Sequence, residues 1–209
     1  MDYKENDRAG WHSRIPLPNN PRVSFIIAAY KRPVQIKVTI ASILAQTHQN
    51  FEIIVVHDGP GGKQVELAVS NFNDDRISFH ELDRNYNDFG NTSKEYGSQL
   101  ATGDYIGHSN DDNYYAPVYF EWMLSDMMNQ GCDLGYCNMI HSASCWYGFD
   151  TYPAATRIDG GGWLCKADIV KKTEWGDKKD MCADGHYVEA LMKSCNKAIK
   201  IGGFLFVHN

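Results

Sequence analysis

The sequence predicts an α/β fold with a doubly wound, mostly parallel central sheet flanked by helices, and three observations predict it. Val23–Ala29 is a near-continuous apolar run of strand length, the pattern of a strand covered on both faces. Three further strand-like runs, at 51–56, at 77–82 and around Tyr105 and Ile106, are separated from it and from one another by segments of helical periodicity. Each run closes in a polar or Gly-rich loop, and in open α/β sheets ligands collect beyond the carboxyl ends of the strands. The acidic stretch Asp111-Asp112-Asn113 follows the fourth run, where a metal could sit. Its other reading is a polar turn that caps a helix starting near Ala116-Pro117.

Taken in order, residues 1–22 form a polar leader with Pro16, Pro18 and Pro21, more arm than element, which Trp11 could dock onto the body. After the first strand, Pro33 opens a helix to about Gln46, with Val34, Ile36, Val38, Ile40, Ile43 and Leu44 as apolar cover. The second strand, 51–56, is closed by His57-Asp58-Gly59-Pro60-Gly61-Gly62, a sequence that can only be a loop. Val65, Ala68, Val69 and Phe72 recur at helical spacing over 63–72. A third strand at 77–82, a loop rich in Asn and Asp over 83–91, and a helix at about 92–101 lead into the Gly103 turn and the fourth strand.

The second half is less regular. Phe120, Met123, Leu124 and Met127 face inward from a helix over 117–130, a stripe that reads as core. A strand at 134–140 precedes a loop-rich, aromatic stretch at 141–162, where Gly160-Gly161-Gly162 allows close backbone approach. A short strand at 163–165, helices at about 167–173 and 185–194, and a final strand at 201–207 complete the chain. With no repeat, linker or low-complexity segment, residues 23–209 are expected to form one catalytic domain, with 23–113 and 114–209 as its two halves.

Composition narrows the function classes. A chain of 209 residues can bury roughly 70% of the surface its unfolded form exposes. Hydrophobic residues make up 43% and charged residues 22%, ordinary for a globular protein. A net charge of −6 argues against a general nucleic-acid binder, which needs a basic face. The six cysteines show neither a Cys-x-x-Cys pair nor zinc-ligand spacing, so they read as free thiols in a reducing, cytoplasmic setting. Neither a signal peptide nor an apolar run of the ~20 residues needed to span a bilayer is visible, so no integral membrane segment is expected.

Five pieces then carry a resemblance: Val23-Ser-Phe-Ile-Ile-Ala-Ala-Tyr-Lys-Arg-Pro33, Ser42-Ile-Leu-Ala-Gln-Thr47, Asn50-Phe-Glu-Ile-Ile-Val-Val-His-Asp-Gly59, Ala101-Thr-Gly-Asp-Tyr-Ile106 and Ser109-Asn-Asp-Asp-Asn113. In order and spacing they resemble the family 2 glycosyltransferases of the GT-A (nucleotide-diphospho-sugar transferase) fold. They cover the first half of the chain, and Trp163-Leu-Cys-Lys166 and the Ala183-Asp184 region resemble the acceptor half more loosely. The chain is short for the family, which is compatible with its being one domain of a longer protein.

The resemblance implies a nucleotide-sugar donor, with UDP as the family's commonest nucleotide, a Mn²⁺ or Mg²⁺ ion, a glycan or other hydroxyl acceptor, and inversion at the anomeric carbon. By it, Ala28 and Tyr30 hold the base, Asp58 hydrogen-bonds it, and Asp111 and Asp112 fall on the Asp-x-Asp region. Asp112 is then the expected metal ligand, Asp111 a ribose or supporting contact, and Asp184 the general base. Arg32 and Lys94 could reach the phosphates, and a solvated surface charge is an equal reading of each. His208 falls where some relatives place a histidine metal ligand; a terminal histidine is otherwise exposed. Trp163 and His186 are candidate acceptor contacts. Ser109 stands where many members carry the first Asp, and His57 where a second Asp is usual. Two other function classes compete: a nucleotidyltransferase, which would carry a Gly-rich loop where Tyr30-Lys31-Arg32-Pro33 stands, and an inactive carbohydrate-binding domain.

Overall fold

A computed structural model of the chain describes residues 17, 19–142 and 145–209. Most of the expected N-terminal arm, including Trp11, lies outside the described residues. The elements are β1 (Val23–Ala29), α1 (Gln35–Leu44), β2 (Phe51–His57), α2 (Lys63–Ser70), β3 (Ile77–Glu81), α3 (Asn91–Leu100), β4 (Tyr105–Asn110), β5 (Tyr114–Tyr115), α4 (Tyr119–Gln130), β6 (Leu134–His141), β7 (Tyr147–Phe149), β8 (Trp163–Lys166), α5 (Ala167–Val170), α6 (Ala183–Ser194) and β9 (Ala198–His208). Nine strands of the described residues form one sheet in the order β3-β2-β1-β4-β8-β6-β9-β5, with β7 paired to β6.

The first half is the predicted parallel core. β1 pairs in parallel with β2 and with β4, and β2 with β3. The register sets Ala29 opposite His57, His57 opposite Glu81 and Ala28 opposite Asn110, so the loops that follow β1, β2, β3 and β4 all open at one edge. Covering both faces explains the unbroken apolar runs. Phe25, Ile27, Ile53 and Val55 pack with α1, α2 and α4 residues such as Ile36, Ile40, Val65 and Phe120. Ile26, Ile54, Val56 and Ile106 face the other way, into a second cluster with Leu134, Trp163, Val188 and Leu191. Each such side chain, wholly withdrawn from water, contributes about 1.5–3 kcal/mol.

The second half is mixed, which periodicity does not reveal. β8 is antiparallel to both β4 and β6, and β6 is parallel to β9. Two reversals restore the direction, so β6 and β9 run the same way as β4. Their final residues, His141 and His208, are paired with each other and reach the edge where the parallel strands end. A register shift next to Gly202-Gly203 bends β9; Gly203 has φ +106°.

Several boundaries differ from expectation. α1 starts at Gln35, with Pro33 in the turn before it. α5 is a single turn, continued towards Thr173 only by hydrogen bonds to the Ile169 and Val170 carbonyls. α6 starts at Ala183 rather than Gly185, which places Asp184 inside its first turn instead of at its cap. The two-residue strand β5, paired with the end of β9, escaped periodicity because it is too short to show any.

Candidate active site

The site forms where β1, β2 and β4 end. After Ala29 the backbone reverses at Lys31, which sits in the left-handed region at φ +54°. The wholly buried His57 ring holds this reversal: Lys31 N–H donates to Nε2 at 3.2 Å, so Nδ1 carries the proton and donates to the Gly59 carbonyl at 2.6 Å. A neutral imidazole can accept at one nitrogen and donate at the other, which a carboxylate cannot. The departure at His57 therefore cross-links the loops after β1 and β2. Asp58, 6% exposed, accepts from the backbone N–H of Tyr86 (2.8 Å) and Asn87 (3.2 Å) and from the Asn85 amide (3.1 Å). One of the roughly four lone-pair positions of a carboxylate remains for a further donor. Ala28, Tyr30, Arg32, Asp58, Asn85, Asn87, Phe89 and Asp111 line a cleft of about 370 Å³.

At the end of β4, Asp111 accepts from Tyr30 N–H at 2.9 Å. Burial raises its pKa to about 6, with the Tyr30 N–H and Arg32 opposing and Asp112 adding to the rise. Arg32 contacts both acids, Asp111 at 3.3 Å and Asp112 more closely. In this state the guanidinium balances the acid pair instead of pointing free into solution. Ser109, the other departure, is fully buried and donates to the Asn110 carbonyl, so it stays behind the cleft.

The second half delivers a further charged cluster to this edge. Asp184 Oδ2 accepts from Gly160 N–H at 2.9 Å and Oδ1 from Gly185 N–H at 2.8 Å, tying α6 to the glycine turn. Burial and the neighbouring Asp159 raise its pKa, against Lys94 and the two N–H groups. Asp159 accepts from Gly161 N–H at 2.7 Å and forms an ion pair with His208, Oδ2 to Nδ1 at 3.2 Å. Burial opposes ionisation of Asp159, yet His208, Lys94 and that N–H outweigh it and hold its pKa low. Burial likewise opposes protonation of His208, while Asp159, then Asp112 and Asp184, raise its pKa. Gly161 is required by this packing: a Cβ there would meet the Tyr115 hydroxyl at 2.7 Å.

Of the expected site residues, Ala28, Tyr30, Arg32, Asp58 and Asp111 share the cleft, and Asp112, Asp184 and His208 are electrostatically linked beside it. Lys94 is no surface charge; it is 2% exposed on α3 and acts on both Asp159 and Asp184. Trp163 is a correction. It is fully buried, edge-on to His108 at 4.7 Å, so no ring face is open to an acceptor. His186, two residues from Asp184 and so about 200° around the helix, is half-exposed beside Glu189 (3.5 Å) and Asp180 (3.9 Å). It does not join the cluster. Phe89 lies in no recognisable motif, and for Asp159, otherwise only an alternative acid to Asp184, the glycine run that follows it is the one local signal.

Among the described residues no three His, Cys, Asp or Glu side chains are gathered to hold a metal ion by themselves. The donors available are nevertheless of the right kind. Asp112 and His208 offer a carboxylate and an imidazole, ligands that suit Mn²⁺, and the remaining positions of such an ion would fall to a diphosphate and water.

EpsH of Bacillus subtilis (strain 168) is 29% identical over 184 residues, 88% of this chain and 45% of that protein. The chain spans less than half the length of the curated relatives it matches. The S. aureus TarS 1-349 structure in complex with UDP-GlcNAc superimposes with a TM-score of 0.77 at 12% identity, covering 90% of this chain and 58% of that one. The mannosyltransferase PcManGT from Pyrobaculum calidifontis, in complex with GDP-Man and Mn²⁺, gives 0.73 at 14% identity, covering 96% and 60%. These two likenesses establish the GT-A fold. The model of glycosyl transferase family 2 matches residues 24–174, the span that holds the parallel strands, Asp58, Asp111 and Asp112, and the chain belongs to that family.

Proposed function

We propose that this chain is a metal-dependent, inverting glycosyltransferase that moves a sugar from a nucleoside-diphosphate sugar, UDP-linked in the first instance, to a hydroxyl of a glycan or other acceptor. The observation that carries the reading is the meeting of two sets of groups at one sheet edge. The cleft between Asp58 and Asp111 suits a nucleotide, and the cluster of Asp112, Asp159, Asp184, Lys94 and His208 adjoins it. Relatives solved with UDP-GlcNAc and with GDP-Man and Mn²⁺ support the ligand class.

Asp58 has one acceptor position left for a base N–H, and Tyr30 and Ala28 flank the same pocket. Asp112 and His208 would hold the divalent ion, which neutralises charge developing on the leaving diphosphate. Lys94, whose charge acts on both Asp159 and Asp184, adds positive charge to the same region. Asp184 takes the proton of the attacking hydroxyl, and its raised pKa makes it a stronger base than a free aspartate. Thermal shift and product analysis across UDP-, GDP- and dTDP-sugars, with and without Mn²⁺, test the proposal. Metal-dependent stabilisation with release of nucleoside diphosphate supports it. Pyrophosphate formation, or binding without turnover with every donor and acceptor tried, refutes it.

A further inference from the structure

The loop between β3 and α3 holds an exposed aromatic ring at the cleft, in a conformation that the fold by itself does not favour. Phe89 is 65% exposed and lines the cleft with Ala28, Tyr30 and Asp58. Its backbone lies in the left-handed region, φ +59°, between two further left-handed residues, Asn87 at +50° and Gly90 at +78°. A bulky residue rarely adopts this conformation, which is strained for any side chain with a Cβ. The loop is nonetheless pinned on both sides of the ring. Upstream, Asp58 binds Asn85, Tyr86 and Asn87. Downstream, buried Asp88 accepts from Thr92 N–H at 3.0 Å, and buried Asn91 donates to the Lys178 carbonyl at 3.0 Å. Asp88 and Asn91 each keep one buried oxygen without a partner, a further cost of holding the loop in this shape. Gly90 permits the close approach that results: a Cβ there would stand 2.6 Å from the Cβ of Ala28.

With Asp88 and Asn91 buried on either side of it, Phe89 is turned outward, where no aromatic ring or cation of the described residues is stacked on it. Tyr30 differs, since its ring has Lys31 Nζ 4.9 Å from its centroid and the His57 ring 5.6 Å away. From the ring's place beside Asp58 and the cost of keeping it there, we infer that Phe89 is the aromatic wall of the nucleobase pocket, stacking on the base while Asp58 holds its loop. This rests on the nucleotide-binding reading above. The base is the group concerned because Asp58, just past β2, is two strand spacings, roughly 10 Å, from the end of β4 and Asp112, where the diphosphate end belongs, and Phe89 lines the cleft with Asp58. Asp58 is thereby a positioning residue for Phe89 as well as a candidate contact to the base.

Calorimetric titration of the whole chain with UDP and with GDP in the presence of Mn²⁺ tests the inference, using Phe89→Ala, Phe89→Leu and Phe89→Tyr, with inorganic pyrophosphate as the base-free probe. Losing a base stack weakens binding by about 5- to 100-fold. Phe89→Ala should therefore raise the Kd of the better-bound nucleotide at least about fivefold, Phe89→Tyr should restore it to within about twofold, and Leu, apolar but without a ring face, should not. The Kd of pyrophosphate and the melting temperature should stay unchanged, because the ring is exposed. A smaller rise for Ala, full rescue by Leu, or an equal loss with pyrophosphate overturns the inference while leaving nucleotide binding intact. Wild-type protein that binds neither nucleotide overturns the nucleotide-binding reading and this inference together.

Discussion

Asp184→Asn separates a base from a structural tie, because the structure gives the carboxylate two duties of different size. Its oxygens accept from Gly160 N–H at 2.9 Å and Gly185 N–H at 2.8 Å. An Asn side chain has one carbonyl oxygen, so one of these bonds survives and the amide NH₂ faces the other N–H. A charged hydrogen bond contributes about 1.5–3 kcal/mol. Burial and Asp159 already disfavour the charge at this position, so neutralising it returns part of that loss. A net destabilisation of about 1–2 kcal/mol, or roughly 2–8 °C in a protein of this size, is expected. The chemical effect is larger: loss of a general base slows turnover by about 10²- to 10⁴-fold, equivalent to about 2.7–5.4 kcal/mol in the barrier. Initial rates of nucleoside-diphosphate release at saturating donor, measured well below the melting transition, isolate kcat from stability. A kcat within about tenfold of wild type would refute the assignment and leave Asp184 as the tie between α6 and the glycine turn, with Asp159 the next candidate.

Three other outcomes follow from the same structure. Asp112→Ala removes a carboxylate linked to His208 and should abolish the Mn²⁺ dependence of nucleotide binding with little change in melting temperature; retained Mn²⁺-dependent binding in calorimetry counts against Asp112 as a ligand. Gly90→Ala forces a Cβ to 2.6 Å from Ala28 at φ +78°, so a loss of about 1–3 kcal/mol by chemical denaturation is expected, together with weaker nucleotide binding; a neutral result would show that the loop relaxes freely. Far from the cleft, Asp133 binds Lys166 Nζ at 2.7 Å and Asn196 N–H at 2.8 Å. The Lys166 contact leads in lowering its pKa, with burial opposing. Its folded-state pKa lies below the unfolded value, so its contribution is present above about pH 4 and fades as pH falls through the folded pKa. Asp133→Asn should therefore lower stability at pH 7 and flatten the acid limb of melting temperature against pH, and an unaltered acid limb would refute the linkage.

Local pattern carried much of the first half. The apolar run of Val23–Ala29 demands cover on both faces, and its alternate residues do enter the two core clusters. The parallel order follows from helical segments too long for hairpins, and from this the sequence by itself places the loops bearing Tyr30, Asp58 and Asp111 at one edge. Strand direction in the second half has no such local signature. That β8 runs against β4 and β6 was decided by tertiary pairing, and this reversal is what carries His141 and His208 to the edge where Asp111 and Asp112 lie. Burial was also decided in three dimensions. Trp163 has the character of a sugar platform and is core, whereas Lys94 has the character of surface and is buried, its charge acting on two carboxylates. Phe89 is an apolar side chain in a loop that reads as polar, and a left-handed backbone turns it out to the cleft. Periodicity reports which face of its own element a residue occupies; whether that face meets the core, solvent or a ligand depends on partners distant in the sequence.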